Sequence, residues 1–389
     1  MAERGFPQTE FDARLARAQA AMAREALDGL LVTTHPDVYY FTGFLTGFWE
    51  SPTRPWFVLL PQSGQPAAII PGIGGALMAK TWVTDIRTWA SPDLFDDGVS
   101  LLADTLKEVI GSERIGIPDG HETHLRMPVA DFARLKAACA SVEITSDNGI
   151  VRSLRMIKSE AEITKITRAC EIAGCAFDRV GEIARAGETL AGVFRRFQIL
   201  CLEEGADQVR YLAGGAGPLG YADVISPASD IPLQEGDCLM LDTGLTWDGY
   251  FCDYDRNFAI GKPDALVRTA HERLIEATYS GFAAAKPGAT AADLFHAMDK
   301  VLTGGEARNG SEKGNGRLGH GLGIQLTEWP SLIPADETVL EPGMVLTLEP
   351  GIETREGNML VHEENIVVTG NGARWLSPLQ MPAIRTLEP

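Results

Sequence analysis

The segment 238–256 carries several aspartates in two β-prone runs that flank an Asp-Gly pair. Such a pair predicts a hairpin with a type I′ turn, because that turn needs φ > 0 at both of its central residues. With residues 248–249 as the turn, counting places Asp242 opposite Asp255. Cross-strand partners share a face, as do residues two apart on one strand, so Asp253 joins the other two carboxylates.

These carboxylates repel one another by several kcal/mol once they are partly desolvated. Either protons or cations must therefore neutralise them, and hard divalent ions are the usual partners of oxygen-rich clusters. A solvated acidic hairpin on a very acidic protein explains the same pattern. This segment alone does not choose between a metal site and such a hairpin.

Two glutamates stand inside otherwise apolar, β-rich runs farther along the chain. They are Glu349 in Val-Leu-Thr-Leu-Glu-Pro and Glu363 just before Glu-Asn-Ile-Val-Val. A buried glutamate needs a partner or a metal ion, because an isolated charge is costly to remove from water. The glycines on either side of His320 permit close backbone approach to whatever the imidazole contacts. No Lys-Ser or Lys-Thr follows them, so they are not those of a phosphate loop.

Together these segments supply four carboxylates and one imidazole, from Asp242, Asp253, His320, Glu349 and Glu363. Such a set suits two adjacent Mn, Co, Fe or Zn ions better than a single structural zinc ion, which prefers Cys and His ligands. The sequence therefore predicts a site for two metal ions.

The composition is that of an ordinary globular protein with no nucleic-acid or membrane partner. A net charge of −19 over 389 residues argues against binding to polyanions or to anionic membranes. The six cysteines form no CxxC pair, so free thiols in a reducing compartment are expected. The N-terminus has no apolar signal region and the chain has no run of about 18 apolar residues, so we expect a cytoplasmic protein.

Alternating helix and strand patterns predict an α/β (α+β) chain with two domains, residues 1–150 and 151–389. In the first domain the patterns predict helices at 8–28, 97–110 and 126–138 and strands at 29–34, 39–44, 56–61, 67–71 and 114–117. In the second domain, the capping-box pattern from Ser159 to Glu162 begins a long helix. Further helices are predicted at 189–204, 264–284 and 290–302.

The order and spacing of these motifs resemble the pita-bread-fold metallopeptidases, which include methionine aminopeptidase, aminopeptidase P, prolidase and creatinase. The matching motifs are Asp242-Thr-Gly, Gly249-Tyr-x-x-Asp253-x-x-Arg256, Gly319-His320-Gly-Leu-Gly, Leu348-Glu349-Pro-Gly and Glu363 six residues before Thr369. Each motif alone is weak, whereas five in order are specific. The resemblance spans nearly the whole chain and is greatest to the branch of aminopeptidase P, prolidase and creatinase. It implies an N-terminal creatinase-like α/β domain and a C-terminal pita-bread catalytic domain.

The resemblance also implies a role for each of the five side chains. Asp242 would chelate one ion, and Asp253 and Glu363 would bridge both ions. His320 and Glu349 would complete the set around the other ion, and Glu349 would also shuttle the proton. A hydroxide activated by the two ions would attack the amide, and the ions would stabilise the oxyanion.

Three positions depart from the pattern that such peptidases usually show. Thr327 stands seven residues after the ligand histidine, where a second histidine usually contacts the scissile amide. Val224 or Ile225 stands where another histidine usually precedes the hairpin. Creatinase uses that histidine as its acid/base, so creatinase activity is not expected. Asp255 replaces the usual threonine and would be an extra ligand, bind a cationic substrate group, or pair with Arg256 or another cation.

Other side chains are candidates for the substrate pocket. His362 precedes Glu363, so alternation points it to the opposite face, and contact with substrate is the less favoured interpretation. Arg54 would bind a substrate carboxylate in a partner subunit's site, by resemblance to creatinase, or is a surface arginine at a strand start. Trp329 and Tyr221 are pocket-wall candidates, although packing in the core is the simpler explanation. The candidates for catalytic roles are Glu349, Asp255, Thr327 and His362.

We therefore expect a homodimeric hydrolase with two divalent metal ions, Mn²⁺ being the first candidate and Co, Fe or Zn the others. Its default substrates are Xaa-Pro dipeptides or peptides with an N-terminal Xaa-Pro bond. The alternative is a specialised enzyme of the same fold, either a small-molecule amidohydrolase or a lyase of the dimethylsulfoniopropionate type. A metal-free binding module is a third, less favoured interpretation, because all five ligands are present.

Overall fold

The structure of the protein is a computed structural model that describes residues 2–51, 54–110, 114–305, 316–355 and 357–389. Contacts within this part of the chain divide it into two compact units, Glu3–Arg155 and Met156–Pro389, and Ala2 belongs with the second. Both units combine α-helices with β-sheets, so the predicted mixed α/β class is confirmed. A search of the described helices finds no segment with the length and apolarity that a membrane crossing requires.

The first unit is built on a mixed sheet. Its helices are α1 (Gln8–Glu25), α2 (His35–Thr42), α3 (Gly75–Met78), α4 (Val99–Val109), α5 (Val129–Ala138) and α6 (Ile150–Met156), the last of which ends at the boundary. Its strands are β1 (Gly29–Val32), β2 (Phe57–Pro61), β3 (Ala67–Pro71), β4 (Asp85–Trp89), β5 (Arg114–Ile117) and β6 (Glu143–Ser146). Their order is β4-β3-β2-β1-β5-β6, with β1 antiparallel to β2 and parallel to β5. Helix α4 packs on this sheet through a buried cluster that includes Leu31, Leu59, Leu102, Leu106 and Ile115.

The strand prediction is wrong for residues 39–44, because residues 39–42 form the end of helix α2 and Gly43 follows as its cap. Thr34 caps this helix by accepting a hydrogen bond from the N–H of Asp37 at 3.4 Å. Pro36 lies in the first turn, where its missing N–H has no intrahelical partner to lose. Gly43, with φ of 76°, ends the helix in the left-handed conformation. These end signals and the burial of the aromatic side chains override their preference for strands.

The second unit contains all five predicted metal ligands. Its helices are α7 (Glu160–Asp178), α8 (Leu190–Glu203), α9 (Ala265–Ala284) and α10 (Ala291–Leu302). Its strands are β7 (Gln208–Gly217), β8 (Cys238–Trp247), β9 (Tyr250–Phe251), β10 (Tyr254–Ile260), β11 (His320–Gly321), β12 (Glu328–Ser331), β13 (Val345–Leu348), β14 (Gly351–Arg355), β15 (Asn358–Val361), β16 (Glu364–Thr369), β17 (Gly372–Trp375) and β18 (Arg385–Leu387).

Two sheets form the framework of this unit. Over the described residues, one sheet has the order β18-β10-β8-β7 with β9 paired to β8, and the other has the order β12-β11-β13-β16-β17. Strands β14 and β15 pair as a separate ribbon. Helices α9 and α10 pack beside the strands in a buried apolar cluster that includes Met240, Leu274, Leu294, Met298 and Leu346. The sheets therefore have a common apolar support.

Helix α7 begins at the predicted capping box. Ser159 accepts a hydrogen bond from the N–H of Glu162 at 3.3 Å, and the carboxylate of Glu162 accepts from the N–H of Ser159 at 2.9 Å. The pair satisfies two N–H groups, one of them among those that the start of a helix leaves without partners. Helix α7 packs against β8 and β9, so it supports the hairpin that carries the aspartates.

Candidate metal centre

The hairpin forms at the predicted turn. Asp248 and Gly249 have φ angles of 49° and 81°, as a type I′ turn requires. Strand pairing places Asp242 opposite Asp255, so the predicted register is confirmed. Asp253 lies in the short break between β9 and β10, directly before β10 begins.

Gly244, on β8, lets the loop after β11 approach the hairpin. A Cβ at this position would lie 2.2 Å from Cδ1 of Leu326 and 3.1 Å from Cβ of Tyr211. Glycine leaves room for the side chain of Leu326 in its present position, and a larger residue would require Leu326 to shift.

Three of the predicted ligands meet in one buried group. Asp253, His320 and Glu363 each offer one ligand atom, and these atoms lie within 4.8 Å of one another. Nε2 of His320 is 3.5 Å from Oδ2 of Asp253 and 3.8 Å from Oε2 of Glu349. Asp253 lies in the break before β10, His320 is the first residue of β11, and Glu363 directly precedes β16. Tertiary folding, rather than one local motif, therefore assembles it.

The imidazole of His320 is oriented by the backbone. Its Nδ1 lies 2.8 Å from the carbonyl oxygen of Gly321, and an N–H at this position donates to that carbonyl. Nε2 then keeps its lone pair free for a metal ion. The flanking glycines allow the close approach that the sequence predicts. A Cβ on Gly319 would lie 2.3 Å from the carbonyl oxygen of Thr347, and one on Gly321 would lie 2.0 Å from that of Trp329.

The clustered carboxylates repel one another. Burial, and after it the charges of Asp255 and Glu349, raises the pKa of Asp242 well above its usual value. Burial followed by the charges of Asp242 and Glu349 raises the pKa of Asp253 in the same way. Burial followed by the charges of Asp253 and Glu349 raises the pKa of Glu363. Protons or cations are therefore needed to stabilise this group.

The donor atoms fit divalent metal ions. Oδ1 of Asp242 and Oε1 of Glu363 are buried and have no hydrogen-bond partner within the described chain. Leaving such an oxygen unpaired costs about 1–3 kcal/mol, so buried carboxylate oxygens are normally satisfied. Burial also lowers the pKa of His320, which keeps the imidazole neutral and able to bind a metal. Free oxygens, a free imidazole nitrogen and excess negative charge together suit one or more divalent ions.

Two residues that the sequence analysis did not single out position the aspartates. Oδ1 of Asn365 accepts a hydrogen bond from the N–H of Asp253 at 3.0 Å, and the amide of Asn365 donates to the carbonyl of Asp253. The hydroxyl of Tyr211 donates to the carboxylate of Asp242. The position of Asn365, two residues after Glu363, was a usable signal, whereas nothing local marks Tyr211.

Glu349 is partly exposed and paired with a cation. Nε of Arg317 lies 3.1 Å from Oε1 of Glu349, and Nη2 of Arg317 lies 3.5 Å from the hydroxyl oxygen of Thr327. The side chains of Arg317 and Glu349 are 36% and 22% exposed. A solvent-accessible guanidinium therefore stands beside Thr327 at the edge of the buried group. No sequence signal marks this guanidinium, because Arg317 lies outside the motifs.

Asp255 does not pair with the guanidinium of Arg256. That guanidinium donates to the backbone carbonyl of Asp255 at 2.6 Å and to the carboxylate of Glu364 at 3.0 Å. The buried imidazole of His362 faces Asp255 instead, with Nδ1 3.6 Å from Oδ1 of Asp255 and Nε2 3.4 Å from Oε1 of Glu364. Burial alone would lower the pKa of His362, but the negative charges of the Asp255 and Glu364 carboxylates beside it outweigh burial and raise the pKa.

Family comparisons cover both units. Residues 164–370 match the model of metallopeptidase family M24, and residues 14–157 match that of the creatinase/prolidase N-terminal domain. The chain belongs to metallopeptidase family M24. This M24 protein is therefore a hydrolase of the metallopeptidase class. Its C-terminal domain has the predicted pita-bread fold, and a creatinase-like domain precedes it in the sequence.

Relatives of this M24 protein match it over nearly their whole length. The probable dipeptidase PepE of Mycobacterium tuberculosis is 31% identical over 385 residues, which cover 96% of each chain. The Xaa-Pro dipeptidase of Pyrococcus horikoshii is 28% identical, with 93% of this chain and 96% of the relative covered. The crystal structure of prolidase from Thermococcus sibiricus has a TM-score of 0.84 at 25% identity, with 98% of this chain and 100% of the other covered.

The pocket candidates of the M24 chain lie in different surroundings. Tyr221 is 2% exposed, and its hydroxyl lies 3.3 Å from Oδ1 of Asn257. Trp329 is 7% exposed. Packing in the core, the simpler of the two interpretations, accounts for both. In the N-terminal unit, the guanidinium carbon of Arg54 lies 5.0 Å from the ring centre of Phe48, and its role towards a partner subunit stays a prediction.

The positions of the missing histidines carry no acid/base group. Val224 packs against the apolar core of the second unit, and Ile225 is 80% exposed. Thr327 offers a hydroxyl, which lies near Arg317. Proton transfer in this protein must therefore use a group other than these.

Proposed function

We propose that this M24 protein is a dinuclear metal-dependent peptidase. Its default substrates are Xaa-Pro dipeptides or peptides with an N-terminal Xaa-Pro bond. The observation that carries the proposal is the buried group of Asp253, His320 and Glu363, whose ligand atoms lie within 4.8 Å of one another. Relatives named as an Xaa-Pro dipeptidase and as a prolidase support the substrate class.

Each of the five side chains has a role in this proposal. Asp242, Asp253, His320, Glu349 and Glu363 would hold the two ions, and Asp253 and Glu363 would be shared between them, as the family resemblance implies. When bound, the ions supply Lewis acidity and lower the pKa of water. Mn²⁺ is the first candidate, because carboxylates dominate the set and such hard ligands suit it.

The chain's own groups carry the other steps. Glu349 moves the proton, because it is a partly exposed carboxylate whose Oε2 lies 3.8 Å from Nε2 of His320. Arg317 orients Glu349 through their 3.1 Å contact. Arg317 also receives the C-terminal carboxylate of a dipeptide, since pairs of guanidinium and carboxylate are strong and directional. Thr327, next to Arg317, borders the substrate in place of the bulkier histidine.

Hydrolysis of Xaa-Pro and Xaa-Ala dipeptides and tripeptides by Mn²⁺-loaded protein tests the proposal. Asp253→Ala is the negative control, because it removes a carboxylate that is proposed to be shared between the two ions. We expect the wild type to cleave Xaa-Pro dipeptides and the variant to be slower by at least about 100-fold. Two bound ions without cleavage of any of these peptides would reject them as substrates. The search would then move to osmolyte-like amides and sulfonium compounds.

The assembly and location of the protein stay predictions from the sequence. We expect a homodimer, which light scattering after size-exclusion chromatography tests directly. A mass equal to that of one chain would contradict it. We also expect a cytoplasmic protein, which cell fractionation tests.

A further inference from the structure

Asp255 occupies a position that the proposed ligand set does not use. It lies on β10 directly opposite Asp242 on β8. Cross-strand partners share a face, so both side chains lie on the same side of the hairpin. Asp255 is 1% exposed. Its carboxylate therefore lies on the face of the hairpin that carries Asp242.

The two oxygens of Asp255 have different surroundings. Oδ1 accepts a hydrogen bond from the N–H of Glu363 at 3.2 Å and lies 3.6 Å from Nδ1 of His362. Oδ2 is buried without a hydrogen-bond partner among the described residues, as is Oδ1 of Asp242. Because buried carboxylate oxygens are normally paired, two such oxygens on one face of a hairpin indicate a positive partner between them.

The cationic side chains near Asp255 do not account for Oδ2. The guanidinium of Arg256 donates to the carboxylate of Glu364 and to the backbone carbonyl of Asp255, so its hydrogen bonds do not reach Oδ2. The imidazole of His362 stands between Asp255 and Glu364, at 3.6 Å and 3.4 Å, so its charge is shared between two carboxylates. It approaches Asp255 from the side of Oδ1, and Oδ2 stays available for a ligand.

We infer that Asp255 is a sixth ligand of the metal centre and that its Oδ2 binds the ion held by Asp242. The inference rests on the proposed function, because it takes Asp242 to hold an ion. Oδ1 keeps its hydrogen bond from the N–H of Glu363, which orients the carboxylate as hydrogen-bond partners of metal ligands commonly do, and the imidazole of His362 stays beside it. The set then has five carboxylates and one imidazole, which favours Mn²⁺ over Zn²⁺.

Titration of chelator-stripped protein with Mn²⁺ in a calorimeter tests the inference without a substrate. The wild type is expected to bind two ions. Asp255→Asn keeps an oxygen that can accept from Glu363 but removes the charge. We expect it to weaken one binding step by about 10–100-fold and to leave the other within about threefold. Identical isotherms for the wild type and the variant would overturn the inference.

A pure charge-balance role for Asp255 gives a different pattern. If Asp255 only balances His362, Asp255→Asn would weaken metal binding through the unbalanced imidazolium, and adding His362→Gln would restore it. If Asp255 is a ligand, the double variant binds as weakly as Asp255→Asn alone. Recovery of wild-type affinity in the double variant would therefore overturn the inference, and its absence supports it.

Asp237→Asn is the matched control. Asp237 is a 7% exposed carboxylate of the same unit, and its Oδ2 accepts from the N–H of Gln234. Its isotherm should equal that of the wild type. Asp255→Thr, which carries the residue usual in the family, repeats the measurement if the asparagine variant does not fold.

The visible absorption of Co²⁺-loaded protein is a second readout, because it depends on the number of ligands. Loss of a ligand in Asp255→Asn should intensify the absorption, and an unchanged spectrum would count against the inference. Suppose that the wild type binds two ions and cleaves Xaa-Pro dipeptides, and that Asp255→Asn binds the ions equally well. This result would reject the sixth ligand but not the proposed function. A wild type that binds no ion would reject the proposed function as well.

Discussion

Nζ of Lys165 lies 2.5 Å from Oδ2 of Asp248, and the two side chains are 2% and 8% exposed. The pair joins helix α7 to the turn of the hairpin. On the same helix, Glu162 accepts a hydrogen bond from the hydroxyl of Tyr250 at 2.9 Å, directly after the turn. Helix α7 thus holds the tip of the hairpin whose strands carry the acidic side chains.

Asp248→Asn should destabilise the protein without changing the turn. Asparagine tolerates the left-handed conformation that residue 248 adopts, but it removes the charge that balances the buried ammonium of Lys165. We expect the free energy of unfolding to fall by about 3 kcal/mol, measured by urea denaturation. Lys165→Met combined with Asp248→Asn should recover much of the loss. A fall of less than about 0.5 kcal/mol in the single variant would show that the pair contributes little.

Removal of metal should lower the stability of the protein more at high pH than at low pH. The pKa values of Asp242, Asp253 and Glu363 are raised in the folded chain, so without metal it binds more protons than the unfolded chain. The stability of the metal-free protein therefore falls as the pH rises from about 4 towards the raised pKa values. Ions at about 1,000 times their Kd would add about 4 kcal/mol.

Thermal unfolding with and without chelator at pH 5 and pH 8 measures this effect. We expect the loss of Tm caused by chelator to be larger at pH 8, where ion binding no longer competes with protons. Equal losses at both pH values would mean that the carboxylates do not bind the ions.

His271 should make the protein less stable in acid. Burial, followed by the nearby His362 and Arg256, lowers the pKa of His271 from 6.5 to about 4. The unfolded chain takes up a proton at this position first, so stability is lost as the pH falls from about 6.5 to about 4. The loss should reach about 3 kcal/mol.

Urea denaturation of the wild type and His271→Leu at pH 7 and pH 4.5 isolates this contribution. The variant should lose less stability over that interval, because leucine does not titrate. His121→Leu, which replaces an exposed histidine, is the control and should behave as the wild type. Parallel losses in the wild type and His271→Leu would contradict the lowered pKa.

Arg317→Met should discriminate between substrates with and without a free C-terminal carboxylate. A charge-assisted hydrogen bond contributes about 1.5–3 kcal/mol, so kcat/KM for a dipeptide should fall by roughly 10–100-fold. The matched dipeptide amide lacks that carboxylate, and its kcat/KM should change much less. Comparison of the two substrates separates binding of the carboxylate from the orientation of Glu349. An equal fall for both would assign Arg317 to Glu349 alone.

The hairpin and part of the centre could be predicted because local signals determine them. One Asp-Gly turn sets the register, and Asp242 opposite Asp255 follows by counting. A shared metal site could be predicted for Asp253, His320 and Glu363. Buried charged residues need a neutralising partner, and the glycines beside the histidine allow close approach to it. These residues also occur in the order of the family motifs, which made the resemblance specific.

Residues whose roles depend on tertiary contacts could not be predicted. Lys165 meets Asp248 across 83 positions of the chain, and neither residue type indicates such a pair. Arg317 and Tyr211 are ordinary polar residues until folding places them beside the carboxylates. The strand prediction for residues 39–44 is wrong for a related reason. The helix end signals and the burial of the aromatic side chains outweigh the preference of those side chains for strands.

Arg317 and Thr327 lie outside the strands, in the segments that border β11 and β12. Asp242 and His320, by contrast, belong to β8 and β11, and Asn365 on β16 ties down Asp253. Connecting segments accept substitutions at a lower cost in folding than paired strands do. New substrate preferences can therefore arise by mutation of such border residues while the strands that carry Asp242 and His320 keep their pairing.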